Sequence, residues 1–166
     1  MGRTGHIAEI RGQIGTRLLL MPAVAAAVFD AKGTVLLLHH LHDGGWGLPG
    51  GAMEPDETPA DAVSRELHEE TGLRLRPDAL IGVCGGPAHV IAYPNGDLTA
   101  YVTSLFAFTT DGAAVVPDGH EVDAARWCQP DDVAELQMDR STEDLLATIR
   151  DWLRAPATSR PAQFRR

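Results

Sequence analysis

A chain of 166 residues, 44% hydrophobic and 22% charged, has the size and make-up of one globular domain. Those figures exclude a disordered chain, a collagen-like fibre and a disulfide scaffold. The two cysteines, Cys84 and Cys128, read as buried small hydrophobes of a reducing cytoplasm. Fourteen basic against 23 acidic residues leave a net charge of −9, which argues against nucleic acid or an anionic membrane as partner.

Apolar residues at Ile7, Ile10, Ile14 and Leu18 predict a leading helix over 7–20, ended by Pro22. The apolar run from Leu18 to Phe29 is too short for a bilayer core, which needs about 20 residues, and it lacks a signal-peptide cleavage pattern. Val24 to Phe29 and Thr34 to His39 predict a strand hairpin around the turn Asp30-Ala31-Lys32-Gly33. His42 to Gly51 is a glycine-rich loop whose backbone can approach a ligand closely. Thr58-Pro59 opens a helix, with Thr58 as N-cap and Asp61 at the capping-box position, and Gly72 closes it. Ala60, Val63 and Leu67 are expected to pack inward, and Asp61 and His68 to face solvent.

Strands follow at Leu80 to Cys84, His89 to Tyr93, Leu98 to Phe108 and Ala124 to Cys128, with a hairpin turn at Asn95-Gly96. A helical turn over Pro130 to Leu136 precedes an amphipathic helix from Thr142 to Leu153. Residues 1–21 are expected as an N-terminal helical segment, 22–154 as the domain, and 155–166, with Arg160, Arg165 and Arg166, as a disordered tail. Mixed strands with two or three helices predict an α+β fold: a largely antiparallel sheet with helices packed on both sides.

The chemistry concentrates in residues 51–73. On the predicted helix, Glu66, Glu69 and Glu70 at i, i+3 and i+4 share one face. Like charges so spaced cost about 0.2–0.5 kcal/mol per pair. Anions in the last turn cost roughly another 0.3–1 kcal/mol each against the helix dipole. No lysine on that face offsets them. A rule broken this way marks function, and the physical remedy is a hard divalent cation, Mg²⁺ or Mn²⁺. Such an ion also lets an acidic protein hold a polyphosphate.

Gly51, Glu57 and then Arg65-Glu66-Leu67-His68-Glu69-Glu70-Thr71-Gly72-Leu73 resemble the Nudix box without a departure. The chance of that match from average residue usage is on the order of 10⁻⁸ to 10⁻⁷. The resemblance implies an α/β/α sandwich and a pyrophosphohydrolase acting on a nucleoside diphosphate linked to another moiety. It implies that Glu66, Glu69 and Glu70, with the carbonyl of Gly50, bind the metal. Arg65 and Glu57 are expected to pair, and Gly51 and Gly72 to support the box. The base that takes the proton from water is implied to be Glu69, Glu70 or, from a later loop, Glu121. Gly119 and Pro117 read as the hinge and stiff arm of that loop.

Members of the family often carry arginine at the end of the strand before the glycine loop, where this chain has His39 and His40. These two, with Trp46, Tyr93 and Tyr101, are the candidate substrate contacts, the aromatics as stacking surfaces for a base. ADP-ribose or a nucleotide sugar is the favoured substrate type, with a nucleoside triphosphate next, and many relatives pair as homodimers. The alternatives are a non-catalytic module that senses a nucleotide, against which the intact box argues, and a prenyl diphosphate isomerase, whose cysteine this chain lacks before the box.

Overall fold

The computed structural model describes residues 5–156, so residues 1–4 and most of the expected tail lie outside the description. The chain forms α1 (Gly5–Ile14), β1 (Leu19–Phe29), β2 (Val35–His40), β3 (Trp46–Gly47), β4 (Gly50–Ala52) and α2 (Pro59–Thr71). Then come β5 (Ala79–Cys84), a 3₁₀ turn (Pro87–His89), β6 (Val90–Ala92), β7 (Leu98–Thr109), β8 (Val122–Cys128) and α3 (Arg140–Arg154).

The central pair of the sheet is parallel. β1 and β7 run side by side from Leu19↔Thr99 to Phe29↔Thr109, and the path continues as β3-β2-β1-β7-β5. The other pairings are antiparallel: β4 joins β1, β6 joins β7 and β8 joins β2. The expected mixed, largely antiparallel sheet is what forms.

β1 explains why both faces are covered. Ala23 to Phe29 are all buried, so the strand reads as a continuous apolar run rather than an alternation. Its odd residues Ala25, Ala27 and Phe29 join Leu37, Leu105, Leu145, Leu146 and Ile149 on the α3 side. Its even residues Val24, Ala26 and Val28 join Leu36, Leu38, Phe106, Phe108, Val63 and Leu67 on the α2 side. The result is helix, sheet, helix in three layers.

Several boundaries differ from expectation. The leading helix stops at Ile14, because Gly15 turns left-handed at φ 62° and its N–H bonds Arg11 O at 2.8 Å. Leu19 and Leu20 are drawn instead into the parallel ladder. Pro22 therefore lies inside a strand, where its carbonyl accepts from Met53 N–H at 3.2 Å. N–H and C=O of one strand residue point to the same side, so the proton it lacks belongs to the β4 edge and not to the β7 ladder. Pro130 to Leu136 makes separate turns rather than a helical one, and α3 begins at Arg140 under an Asp139 cap. The hairpin turn takes in Pro94 as well as Asn95-Gly96, closed by Tyr93 N–H to Asp97 O at 2.9 Å.

Candidate active site

α2 carries the box because its ends are specified locally. Thr58 Oγ accepts from Asp61 N–H at 3.2 Å and donates to Asp61 Oδ2 at 2.7 Å. Pro59 occupies the first turn. Gly72 adopts φ 73°, which no side chain favours, and its N–H bonds His68 O at 2.8 Å. The inward face is Ala62, Val63 and Leu67 rather than Ala60, and His68 is half-buried rather than solvent-facing.

Arg65 organises the box. Its Nε donates to Glu57 Oε1 at 2.5 Å and its Nη2 to Glu57 Oε2 at 2.9 Å, the forked contact two turns apart that the spacing suggested. The same guanidinium reaches Ala52 O at 3.3 Å, Glu66 Oε1 at 2.8 Å and Glu69 Oε2 at 3.1 Å. The cation missing from the glutamate face is thus an arginine. Its side chain lowers the Glu57 carboxyl below the usual carboxylate range and is itself pushed up by that partner.

Two glycines let the loop meet the helix. A Cβ on Gly50 would stand 2.2 Å from Val24 O and 2.9 Å from Ala25 Cα. A Cβ on Gly51 would stand 2.6 Å from the Glu66 carboxylate, which fills that space. Gly50 N–H donates to Glu70 Oε2 at 2.9 Å.

Glu70 is the electrostatic anomaly. It is 4% exposed and, among the described residues, has no cationic partner. Burial raises its carboxyl well above the usual range; the Gly50 N–H opposes this, and Glu66 and Glu121 reinforce it. Glu66 is also raised, first by burial and against the pull of Arg65. Glu69 stands more in solvent, with 57% of its side chain exposed.

The donor types fit a hard divalent cation: carboxylate oxygens, with buried Glu70 short of positive charge, next to a backbone carbonyl at Gly50. Among the described residues no three His, Cys, Asp or Glu side chains are grouped closely enough to hold a metal ion, and Arg65 takes up Glu66 and Glu69.

A cleft of about 200 Å³ opens over Glu70, Gly50 and Gly51, with His40 and Glu121 on its walls. The turn before Glu121 is drawn tight rather than slack. Asp118 Oδ1 accepts from His120, Glu121 and Val122 N–H at 2.9–3.0 Å, and Gly119 sits at φ 73°. Glu121 follows that turn directly and lines the same cleft as Glu70. Trp46, Tyr93 and Tyr101 line it too. His39 is not among the residues that line it. Its Nδ1 meets Asp123 at 2.6 Å and its Nε2 meets Gly44 O at 3.1 Å, so the ring ties down the glycine loop. Asp123 raises its pKa above the usual histidine value. His40 is pushed the other way by burial and stays neutral at pH 7.

Sequence reasoning missed the cleft wall given by Asp139, Ser141 and Thr142 at the start of α3. Asp139, three residues before Thr142, was the cap signal that reveals it.

A family model described as NUDIX domain matches residues 19–149. A MutT-like protein of Streptomyces ambofaciens is 35% identical over 113 residues, covering 68% of this chain and 66% of that protein. The chain thus spans just under two thirds of that relative's length. Phosphatase NudJ of Escherichia coli is 30% identical over 119 residues, 70% of this chain and 73% of NudJ. The NUDIX domain of Shewanella oneidensis NrtR, solved with ADP ribose, shares the fold with a TM-score of 0.66 at 22% identity, over 92% of this chain and 99% of that one. The fold, the box geometry and these matches lead to one conclusion: this chain belongs to the NUDIX family.

Proposed function

We propose that the chain is a divalent-metal-dependent pyrophosphohydrolase that cleaves a nucleoside diphosphate linked to a second moiety. The observation that carries the proposal is Glu70: a carboxylate buried in the wall of a cleft, crowded by Glu66 and Glu121 and held by one backbone N–H. Glu66, Glu69, Glu70 and the Gly50 carbonyl would hold Mg²⁺ or Mn²⁺. Such a cation, when bound, neutralises diphosphate oxygens and lowers the pKa of a bound water.

The chain's own residues supply the rest. Glu121 accepts the proton of the attacking water at a carboxylate oxygen. The water oxygen bonds one phosphorus, the bridging P–O bond breaks, and the departing phosphate keeps the electron pair. Arg65 fixes Glu57 and Glu66, so loop 51–57 cannot drift from α2. Neutral His40 offers one ring N–H to an anionic oxygen without adding charge. Trp46 closes the cleft on the β3 side.

ADP-ribose or a nucleotide sugar is the proposed substrate type, supported by the bound ADP ribose of the NrtR domain. Among the described residues no helix is long and apolar enough to cross a membrane. The free, buried Cys84 and Cys128 suit the reducing cytoplasm where we place the reaction. The test is a panel of ADP-ribose, nucleotide sugars, nucleoside triphosphates and dinucleoside polyphosphates, each with Mg²⁺ and with Mn²⁺, reading released phosphate after a coupled phosphatase. Turnover that vanishes on chelation is expected. Binding without turnover of any member would replace the proposal with a sensing module.

A further inference from the structure

β8 carries one residue too many for its partner strand. His39 of β2 pairs with Ala124 and His40 with Val122, so Asp123 is an extra residue between them, a β-bulge. Side chains of a strand alternate, and one inserted residue moves every position beyond it to the other face. The effect is visible on β8. Ala125 and Trp127 pack on the α2-side core, and Val122 joins them there at 0% exposure although it stands an odd number of places away. Pairing continues past the bulge, where Leu41 N–H bonds Glu121 O at 2.9 Å. Glu121 is thereby left on the face opposite Val122, and it lines the glutamate cleft. Without Asp123 the two would exchange places: a carboxylate would meet the core and an isopropyl group the cleft.

The bulge is held by His39, whose Nδ1 lies 2.6 Å from Asp123 Oδ1 and whose Nε2 lies 3.1 Å from Gly44 O. An ionised carboxylate and a backbone carbonyl only accept hydrogen bonds, so both ring nitrogens must carry protons for both bonds to form. Only the imidazolium does that; a neutral ring keeps one proton and gives up one partner. The surroundings favour the cation. The Asp123 hydrogen bond raises the His39 pKa above the usual histidine value, against the pull of desolvation. Asp123 from β8 and Asp43 from the glycine loop are the charged groups that act on it, and His40 beside it is neutral. From β3 the Trp46 ring lies 5.4 Å away, centre to centre. That is within the ~6 Å at which an indole face attracts a cation. One charged ring thus joins the extra residue of β8 to the loop that walls the cleft.

We propose that protonated His39 is a positioning residue: it locks the bulge at Asp123 and so keeps Glu121 turned into the cleft. The catalytic consequence rests on the hydrolase reading above, in which Glu121 is the base; the lock itself does not. Its direction with pH follows from the raised folded value. The contacts of His39 are complete below the unfolded value of about 6.5 and are lost as pH rises through the higher folded value. The lock is therefore closed at weakly acidic pH and released on the alkaline side.

Amide hydrogen exchange at Leu41 reads the pairing beyond the bulge with neither metal nor substrate, because that N–H is bonded to Glu121 O. His39→Phe keeps a ring and removes both donors; Asp123→Asn keeps the size and removes the charge. At pH 6, exchange at Leu41 should rise at least about tenfold in His39→Phe and by less in Asp123→Asn, with the β1–β7 ladder unchanged. Leu41 protection in the wild type should fall as pH rises through the His39 value, and in His39→Phe it should show no such step. On a hydrolysed substrate His39→Phe should lower kcat about 10–10²-fold with KM little changed, the cost of a misplaced base, and lose the alkaline fall of kcat. Leu41 exchange unchanged in His39→Phe, or accelerated equally with the β1–β7 ladder, overturns the proposal whatever the enzyme hydrolyses. So does faster Leu41 exchange with kcat unaltered. Faster exchange confined to Leu41 and its neighbours, with no compound hydrolysed by the wild type, upholds the lock and overturns the hydrolase reading instead.

Discussion

The Glu70 carboxylate sits where burial, two neighbouring carboxylates and the negative end of a helix all oppose its charge. Glu70→Gln keeps the side-chain volume and removes the anion. It should lower kcat by at least about 10²-fold on a good substrate, and near-wild-type turnover would sink the metal assignment. Glu121 makes a separate case, because it faces the same cluster from the other wall. Glu121→Gln should cost about 10²–10⁴-fold in kcat with KM and metal affinity little changed, and the pH–rate profile should lose its acidic limb. A loss below about tenfold with the limb intact would return the role of base to Glu69 or Glu70.

At the scale of elements, the box is a loop and a helix joined by one guanidinium. Arg65→Ala should loosen residues 51–57 and weaken metal affinity by about 10–100-fold. It also strands Glu66, whose side chain is 13% exposed, without its partner. Because Arg65 itself is 29% exposed, the stability cost should be about 1–3 kcal/mol, below the ~3–5 kcal/mol of a fully buried pair. Arg65→Lys should restore only part of both losses, since an ammonium cannot make the fork; full rescue in calorimetry and metal titration would show that charge alone matters. The two loop glycines should separate stability from activity. Gly50→Ala drives a methyl into backbone and should lower Tm strongly. Gly51→Ala meets only the movable carboxylate of Glu66, so it should leave Tm near wild type and lower kcat. The reverse ranking would mean that the loop is not held as described.

Over the whole molecule these charges set how stability follows pH in the metal-free protein. Glu57 is depressed by Arg65, so its contribution is present above the unfolded value of about 4.3 and is lost as pH falls through its lower folded value. Glu70 is raised, so its contribution is complete below about 4.3 and is lost as pH rises through the higher folded value. Melting temperature should therefore fall on both the acid and the neutral side of weakly acidic pH. Saturating Mg²⁺ should lift the neutral limb most, because a ligand that binds only the folded state stabilises it by mass action. Glu70→Gln should flatten that limb and remove the Mg²⁺ effect. Parallel curves for wild type and variant, with and without Mg²⁺, would refute the account.

Much of this protein was legible from residues close together in the chain. Thr58, Pro59 and Gly72 bound α2, and Glu57 pairs with Arg65 eight positions on, because caps and neighbouring helical turns are settled within a few residues. The glutamate face could be read for the same reason, from a spacing of three and four. Tertiary structure alone decided what depends on distant partners. Leu19 and Leu20 leave a helical pattern for a strand because Thr99 and Ala100 lie beside them, about 80 positions later. His39 meets Asp123 of β8, a partner 84 positions away that spacing along the chain does not announce. Ala62 displaced Ala60 from the core because burial depends on how α2 rolls on β1, not on period alone. Arg11 near the N-terminus is held by four oxygen acceptors, two of them on Leu98 and Thr99 of β7, far along the chain. Local sequence sets what a segment can form; which face it buries, and beside whom, is fixed only when the sheet closes.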